Sequence, residues 1–240
     1  MQVWNMNSFV GVVATLNVQG AAWDRLRRKF CIHNSAPPVL VARVRPSDVP
    51  PLAASGACLF ALYRGGDATL SLVGWQEELA VELSPGGSDV VAISPVLELE
   101  GSGAGVRFAP LGLAGMLNAG GAVLGCTLEP PIPATEPLED GWADGSQAVS
   151  SSGSSSGDGN GSPVSCNSHA SPTASAPRAV LTLRGAGAVL AYASCRPSAV
   201  FLGGESVHFT YNEASSTLDF ELPAGNGSSS ALMHECVVTF

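Results

Sequence analysis

Arg107–Val123 reads RFAPLGLAGMLNAGGAV, and its reading decides the fold. Val106 and Phe108 alternate with Arg107, the pattern of a half-buried strand. Pro110 has no N–H to give to a sheet ladder and is expected to end that strand. Leu111, Leu113, Met116 and Leu117 then place apolar side chains on one face of a short helical turn. Asn118, Gly120 and Gly121 tolerate the left-handed backbone that closes such a turn. Ala122–Leu128 resumes as a strand. No charge intervenes between Arg107 and Glu129, which is too apolar for a surface loop. The stretch is expected to be a core connection within a β structure.

The rest of the chain repeats this texture. Of 240 residues, 45% are apolar and only 13% charged, with 28 Gly and 17 Pro. Strand patterns fall at Met1–Gly20, Val39–Val44, Ala57–Tyr63, Ala68–Val73, Glu77–Leu83, Asp89–Ser94 and Val96–Glu100. Gly65-Gly66-Asp67 supplies the turn of a hairpin. Further strands fall at Arg178–Arg184, Ala188–Ser194, Ala199–Leu202, Val207–Tyr211, Leu218–Leu222 and Ala231–Phe240. Trp23–Pro38 reads as irregular, with a solvated turn at the basic run Arg25–Lys29. No long helix separates the strands, so parallel crossovers are not expected. The fold class is all-β: a two-layer antiparallel β-sandwich.

Residues 130–177 differ in kind. Their Ser/Gly/Pro-rich composition cannot bury enough apolar surface to offset ordering entropy. The expected organisation is one sandwich domain, 1–129 and 178–240, interrupted by a disordered insertion at 130–177. Trp142 in that insertion is read as an exposed aromatic. The sequon matches at Asn160 and Asn226 are read as loop composition.

Net charge is −9, but five acidic residues (Glu136, Glu139, Asp140, Asp144, Asp158) lie in the insertion, leaving 15 acidic against 11 basic residues. A mildly acidic folded part argues against nucleic acid as a partner. No apolar run reaches the ~18–20 residues of a membrane-spanning helix. The N-terminus lacks the pattern of a signal peptide, and an intracellular site, in cytoplasm or plastid, is favoured. Cys31, Cys58, Cys126, Cys166, Cys195 and Cys236 show no zinc spacing and are expected to be mostly small buried hydrophobes.

Chemistry-bearing motifs are absent. Gly101–Gly105 is glycine-rich, but it leads into a strand rather than opening a helix that could hold phosphate. His33, His169, His208 and His234 lie beside no nucleophile motif, and no metal-ligand pattern occurs. Glu77, Glu78, Glu98 and Glu100 read as solvent-face acids. Trp4, Trp23 and Trp75 could stack on sugar rings, although a Trp in a β domain is more often core or interface. No catalytic, cofactor-binding or metal residue is assigned, and no cofactor is implied.

Five segments in order carry a family resemblance. WNMNSFVGVVATLNVQGAAW (Trp4–Trp23), VRPSDV (Val44–Val49), RFAPLGLAGMLNAGGAV, AYASCRP (Ala191–Pro197) and VHFTYNEASSTLDFEL (Val207–Leu222) resemble the C-terminal part of the raffinose synthase and seed imbibition protein family, which includes plant alkaline α-galactosidases. Val18 stands where that family has Cys, and the insertion is far longer than usual. The resemblance implies a large enzyme with a catalytic (β/α) barrel and a C-terminal β-sandwich. The implied chemistry is retaining cleavage of an α-galactosyl bond by two aspartates about 5 Å apart. Galactose then passes to water or to sucrose. Those aspartates belong to barrel motifs absent here. The chain is therefore expected to be a truncated product, an accessory sandwich inactive alone. Its implied partners are the parent's catalytic barrel and galactosides. An apolar patch near Trp4, Phe9 and Trp23 is expected where the barrel would dock. The alternative is a free-standing carbohydrate-binding or interaction module.

Overall fold

The computed structural model describes residues 1–32, 39–99, 105–131, 176–224 and 233–240. Within them nearly every element is a strand and every pairing is antiparallel. Among the described residues, no helix is long and apolar enough to cross a membrane.

The first sheet has five strands in the order Gln2–Met6, Gly11–Leu16, Ser88–Pro95, Leu59–Arg64, Thr69–Gly74. The last two form the expected hairpin, with Ala68 at positive φ and the Asp67 carboxylate accepting from the Thr69 hydroxyl at 2.6 Å. The second sheet runs Leu97–Leu99, Val106–Leu113, Gly187–Ala193, Thr217–Leu222, Phe209–Asn212. The third runs Val123–Glu129, Arg178–Arg184, Met233–Thr239, Ala199–Leu202, Glu205–Val207. Two ribbons complete the set: Ala21–Asp24 with Lys29–Ile32, and Leu40–Val44 with Leu79–Leu83.

Alternation decides which faces close on each other. Val189, Ala191, Leu218, Phe220 and Leu222 of the second sheet share one core with Ala179, Leu181, Leu183, Cys236 and Val238 of the third. This is the sandwich, and the chain passes between its sheets at His208, which separates Glu205–Val207 from Phe209–Asn212. The sequence reads Val207–Tyr211 as one strand because alternation alone does not reveal a change of sheet. The central strands of the first sheet are buried on both faces. Ala61, Tyr63 and Ala92 join the sandwich core, whereas Phe60, Leu62, Val91 and Ile93 pack with Val44, Val81 and Leu83 of the second ribbon. Val49 and Leu52 close that second core from two 3₁₀ turns, Pro46–Asp48 and Pro50–Ser55, which the strand patterns do not signal.

Further expectations are corrected. Pro110 does not end its strand, which runs from Val106 to Leu113 with an irregularity between Pro110 and Gly112. Ser194 N–H donates to the Arg107 carbonyl at 2.9 Å. Counting along the ladder, Pro110 opposite Ala191 has its nitrogen turned away from that partner. On the other side Leu97–Leu99 reaches only as far as Phe108. No ladder bond is lost, so the proline is tolerated.

The helical turn lies later than expected, at Ala119–Ala122, and Met116 and Leu117 are 53% and 82% exposed rather than packed. Trp23–Pro38 is not wholly irregular. Asp24 Oδ1 accepts from the N–H groups of Leu26 (2.9 Å) and Arg27 (3.0 Å), building the turn of the first ribbon.

The cysteines are mixed as well: Cys236 is buried, Cys31 and Cys126 half-buried, Cys58 and Cys195 exposed. The positions of Cys58 and Cys195 in turns at strand ends, rather than their apolar neighbours, set that exposure. Cys166, His33, His169, Trp142, Asn160, Asn226, the Gly101–Ala104 turn and nearly all of the proposed insertion lie outside the described residues.

Candidate docking surface

The two motif-bearing segments that lie farthest apart in the first half of the chain meet in space. Asn7 Nδ2 donates to Asn118 Oδ1 at 2.9 Å, and Asn118 Nδ2 donates back to Asn7 Oδ1 at 3.0 Å. Asn7 follows the edge strand Gln2–Met6, and Asn118 precedes the turn Ala119–Ala122. That turn approaches its surroundings too closely for any side chain. A Cβ on Gly120 would sit 2.4 Å from Val10 Cγ1. A Cβ on Gly112, at φ +105°, would sit 1.9 Å from the Ala119 carbonyl oxygen. Arg184 Nη2 donates to the Gly121 carbonyl at 2.8 Å and holds the turn from the third sheet. The sequence shows these asparagines and glycines as separate motif letters. Their joint structural role becomes visible only when 111 residues of separation are closed.

Large apolar side chains are exposed on the edge strand and on the first ribbon. Val3, Trp4 and Trp23 are 53%, 49% and 53% exposed, and Phe9 is half-buried. The expected exposure near Trp4, Phe9 and Trp23 is therefore present. Trp23 stacks edge-on against Phe30 across the first ribbon, with ring centroids 5.3 Å apart. Trp75, by contrast, packs on Phe60 at 5.6 Å beside the second core.

Of the carboxylates flagged by the sequence, Glu77, Glu78 and Glu98 are engaged in structural contacts, and Glu100 lies outside the described residues. Glu77 accepts from the Gly74 N–H at 2.8 Å. Glu78 binds both Arg43 and Arg45, and those hydrogen bonds hold its carboxyl below the usual range. Glu98 pairs with Arg107 at 2.9 Å and Glu129 with Arg178 at 2.6 Å. Asp219 behaves differently. Burial, reinforced by the charge of Glu221, pushes its carboxyl up. It lies on the strand between Leu190 and Thr210, its ladder partners.

His234 Nε2 makes a 3.0 Å hydrogen bond with the Gly185 carbonyl, and His208 is exposed. Among the described residues no group of His, Cys, Asp and Glu is arranged to hold a metal ion. An open cleft of about 590 Å³ is lined by Leu202, Glu205, Val207, Glu221, His234 and Glu235 among others. It lies on the sandwich.

Comparison with known proteins settles the family. Residues 1–222 match the family described as raffinose synthase or seed imbibition protein Sip1. The chain belongs to this raffinose synthase family. It is 30% identical to a galactinol–sucrose galactosyltransferase of Oryza sativa subsp. japonica over 221 residues, covering 91% of the chain and 23% of that relative. It is 33% identical over 129 residues to a probable galactinol–sucrose galactosyltransferase 5 of Arabidopsis thaliana, covering 51% of the chain and 16% of that protein. A stachyose synthase of Pisum sativum is 30% identical over 131 residues, 52% of the chain and 15% of the synthase. The chain thus spans less than a quarter of the length of these raffinose synthase relatives. Within the family match lie both halves of the Asn7–Asn118 junction, the second core, and the sandwich core apart from Cys236 and Val238.

Proposed function

We propose that this chain is the C-terminal accessory β-sandwich of a retaining α-galactosidase or raffinose synthase-like galactosyltransferase, acting in raffinose-family oligosaccharide metabolism, with its catalytic barrel lying outside the 240 residues. One observation carries this reading. The chain aligns over 91% of its own length with a galactosyltransferase of which it covers only 23%. Three quarters of that relative must therefore perform whatever the aligned quarter does not. The carboxylates described above favour the same division, since most are tied into arginine pairs and backbone contacts. The exposed Trp23 and the half-buried Phe9 supply apolar docking surface for the barrel.

The test is turnover by the chain alone. With galactinol and sucrose, or with raffinose and water, the 240-residue protein is expected to release or transfer no galactose. Clear turnover without a barrel would overturn the reading. Galactose titrated against tryptophan fluorescence is expected to leave emission unchanged, and saturable binding would favour a carbohydrate-binding module instead.

A further inference from the structure

We infer that the edge strand Gln2–Met6 pairs antiparallel with the same strand of a second copy of this chain, with Trp4 opposite Trp4 at the two-fold axis. The argument begins with the ladder on the strand's inner side. Met1 and Leu16 exchange both backbone hydrogen bonds, Met1 N–H to Leu16 O and Leu16 N–H to Met1 O, each at 2.8 Å. In an antiparallel ladder such pairs alternate. Val3 opposite Ala14 and Asn5 opposite Val12 therefore spend their backbone groups on Gly11–Leu16. Gln2, Trp4 and Met6 turn theirs outward. Gln2–Met6 is the terminal strand of its sheet. Among the described residues no backbone partner meets those three N–H and three C=O groups.

The strand lacks the devices that normally blunt an edge. QVWNM contains no charge, no proline and no bulge. No charged side chain occurs between Gln2 and Trp23; the charges beside the edge are the Met1 ammonium, bonded to the Leu16 carbonyl, and Arg43, paired with Glu78. The outward groups are also self-complementary. A two-fold axis at Trp4 places Gln2 opposite Met6 of the second copy, and all three outward residues find hydrogen-bonded partners. Val3 of one copy then faces Asn5 of the other, and the exposed Val3 and Trp4 side chains lose water contact. Met1 and Val41, both exposed beside this edge, extend the apolar contact. A closed two-fold pairing uses up the edge and stops at two chains.

The experiment is sedimentation equilibrium of the unsubstituted chain from about 1 to 100 μM, with amide hydrogen exchange at both limits. The mass is expected to rise from 24.3 kDa toward twice that value. The Trp4 amide is expected to become protected with concentration, while the Val3 and Asn5 amides are protected throughout. Trp4→Lys sets two ammonium groups opposite each other and is expected to weaken association at least tenfold. Trp4→Pro removes an outward N–H without touching the inner ladder and is expected to do the same. A mass of 24.3 kDa at every concentration, or a Trp4 amide indifferent to concentration, overturns the proposal. So does a dimer that survives both substitutions. None of these outcomes bears on the galactosyl-transfer reading, which is tested by turnover.

Discussion

Asn7 and Asn118 exchange two side-chain amide hydrogen bonds, at 2.9 and 3.0 Å, across 111 residues of chain. The pair fastens the loop after the edge strand to the turn that follows the proline-containing strand. Because each amide satisfies the other, the two residues should act as one unit. Asn7→Ala and Asn118→Ala are each expected to cost about 1 kcal/mol, and the double substitution little more than either alone. Urea denaturation of the four proteins measures this. Additive losses would mean that the two amides are not coupled.

The glycines under that junction make a sharper demand. Gly112→Ala drives a methyl group into the Ala119 carbonyl at a φ of +105°. It is expected to cost at least about 3 kcal/mol, since the obstacle is backbone and the conformation is strained. Gly125, where an added methyl meets nothing within 4 Å, is the control. Gly125→Ala is expected to shift stability by less than about 1 kcal/mol. Thermal denaturation distinguishes the two, and equal losses would show that the close approach is not what fixes glycine there.

The thiols should separate by reactivity and by pH. Burial, with Cys236 nearby, pushes the Cys126 thiol from its ordinary 9.0 up to about 12, and burial does the same to Cys236. A thiolate is the reactive form. Alkylation at pH 8 is therefore expected to mark Cys58 and Cys195 and to reach Cys126 and Cys236 only in denaturant. For stability the sign follows from the raised values. Unfolded thiols lose protons from about pH 9 upward, while the folded chain holds them until about 12, so stability should fall across that window. Tyr63 and Tyr192, raised by burial, push the same way. Cys126→Ala is expected to flatten the decline in a pH series of urea melts.

Asp219 acts with the same sign at low pH. Its carboxyl is raised by burial and by Glu221, so the folded chain prefers it protonated. The stability it confers is present below the unfolded value and is lost as pH rises through the folded one. Asp219→Asn is therefore expected to raise Tm at pH 7 and to change it little near pH 3. A lower Tm at pH 7 would mean that the carboxylate makes a favourable contact.

Much of this fold could be read from alternation. Leu218, Phe220 and Leu222 declare their buried face in sequence, and the structure places all three in the sandwich core. Gly65-Gly66-Asp67 announces its hairpin in the same way. What sequence reading missed depends on direction and distance. Pro110 looks like a strand terminator because the sequence does not say which way its nitrogen points. Met116 and Leu117 look like core because apolar character does not say whether a partner is present. The Asn7–Asn118 pair is visible only as two letters in two motifs, since the contact is made by long-range strand order. The first sheet, whose central strands are buried on both faces, adds packing that a two-layer reading does not specify.

The central claim, an accessory sandwich that serves a galactosyl-transfer enzyme, is tested most directly by exchange. The rice galactosyltransferase is made without its aligned segment, and the whole 240-residue chain is fused in that place. Transfer of galactose from galactinol to sucrose is then measured for the shortened enzyme, the fusion, and the 240-residue chain. The expected result is loss of activity on shortening, at least partial recovery in the fusion, and none from the chain alone. Full activity in the shortened enzyme, or turnover by the isolated chain, would contradict the claim.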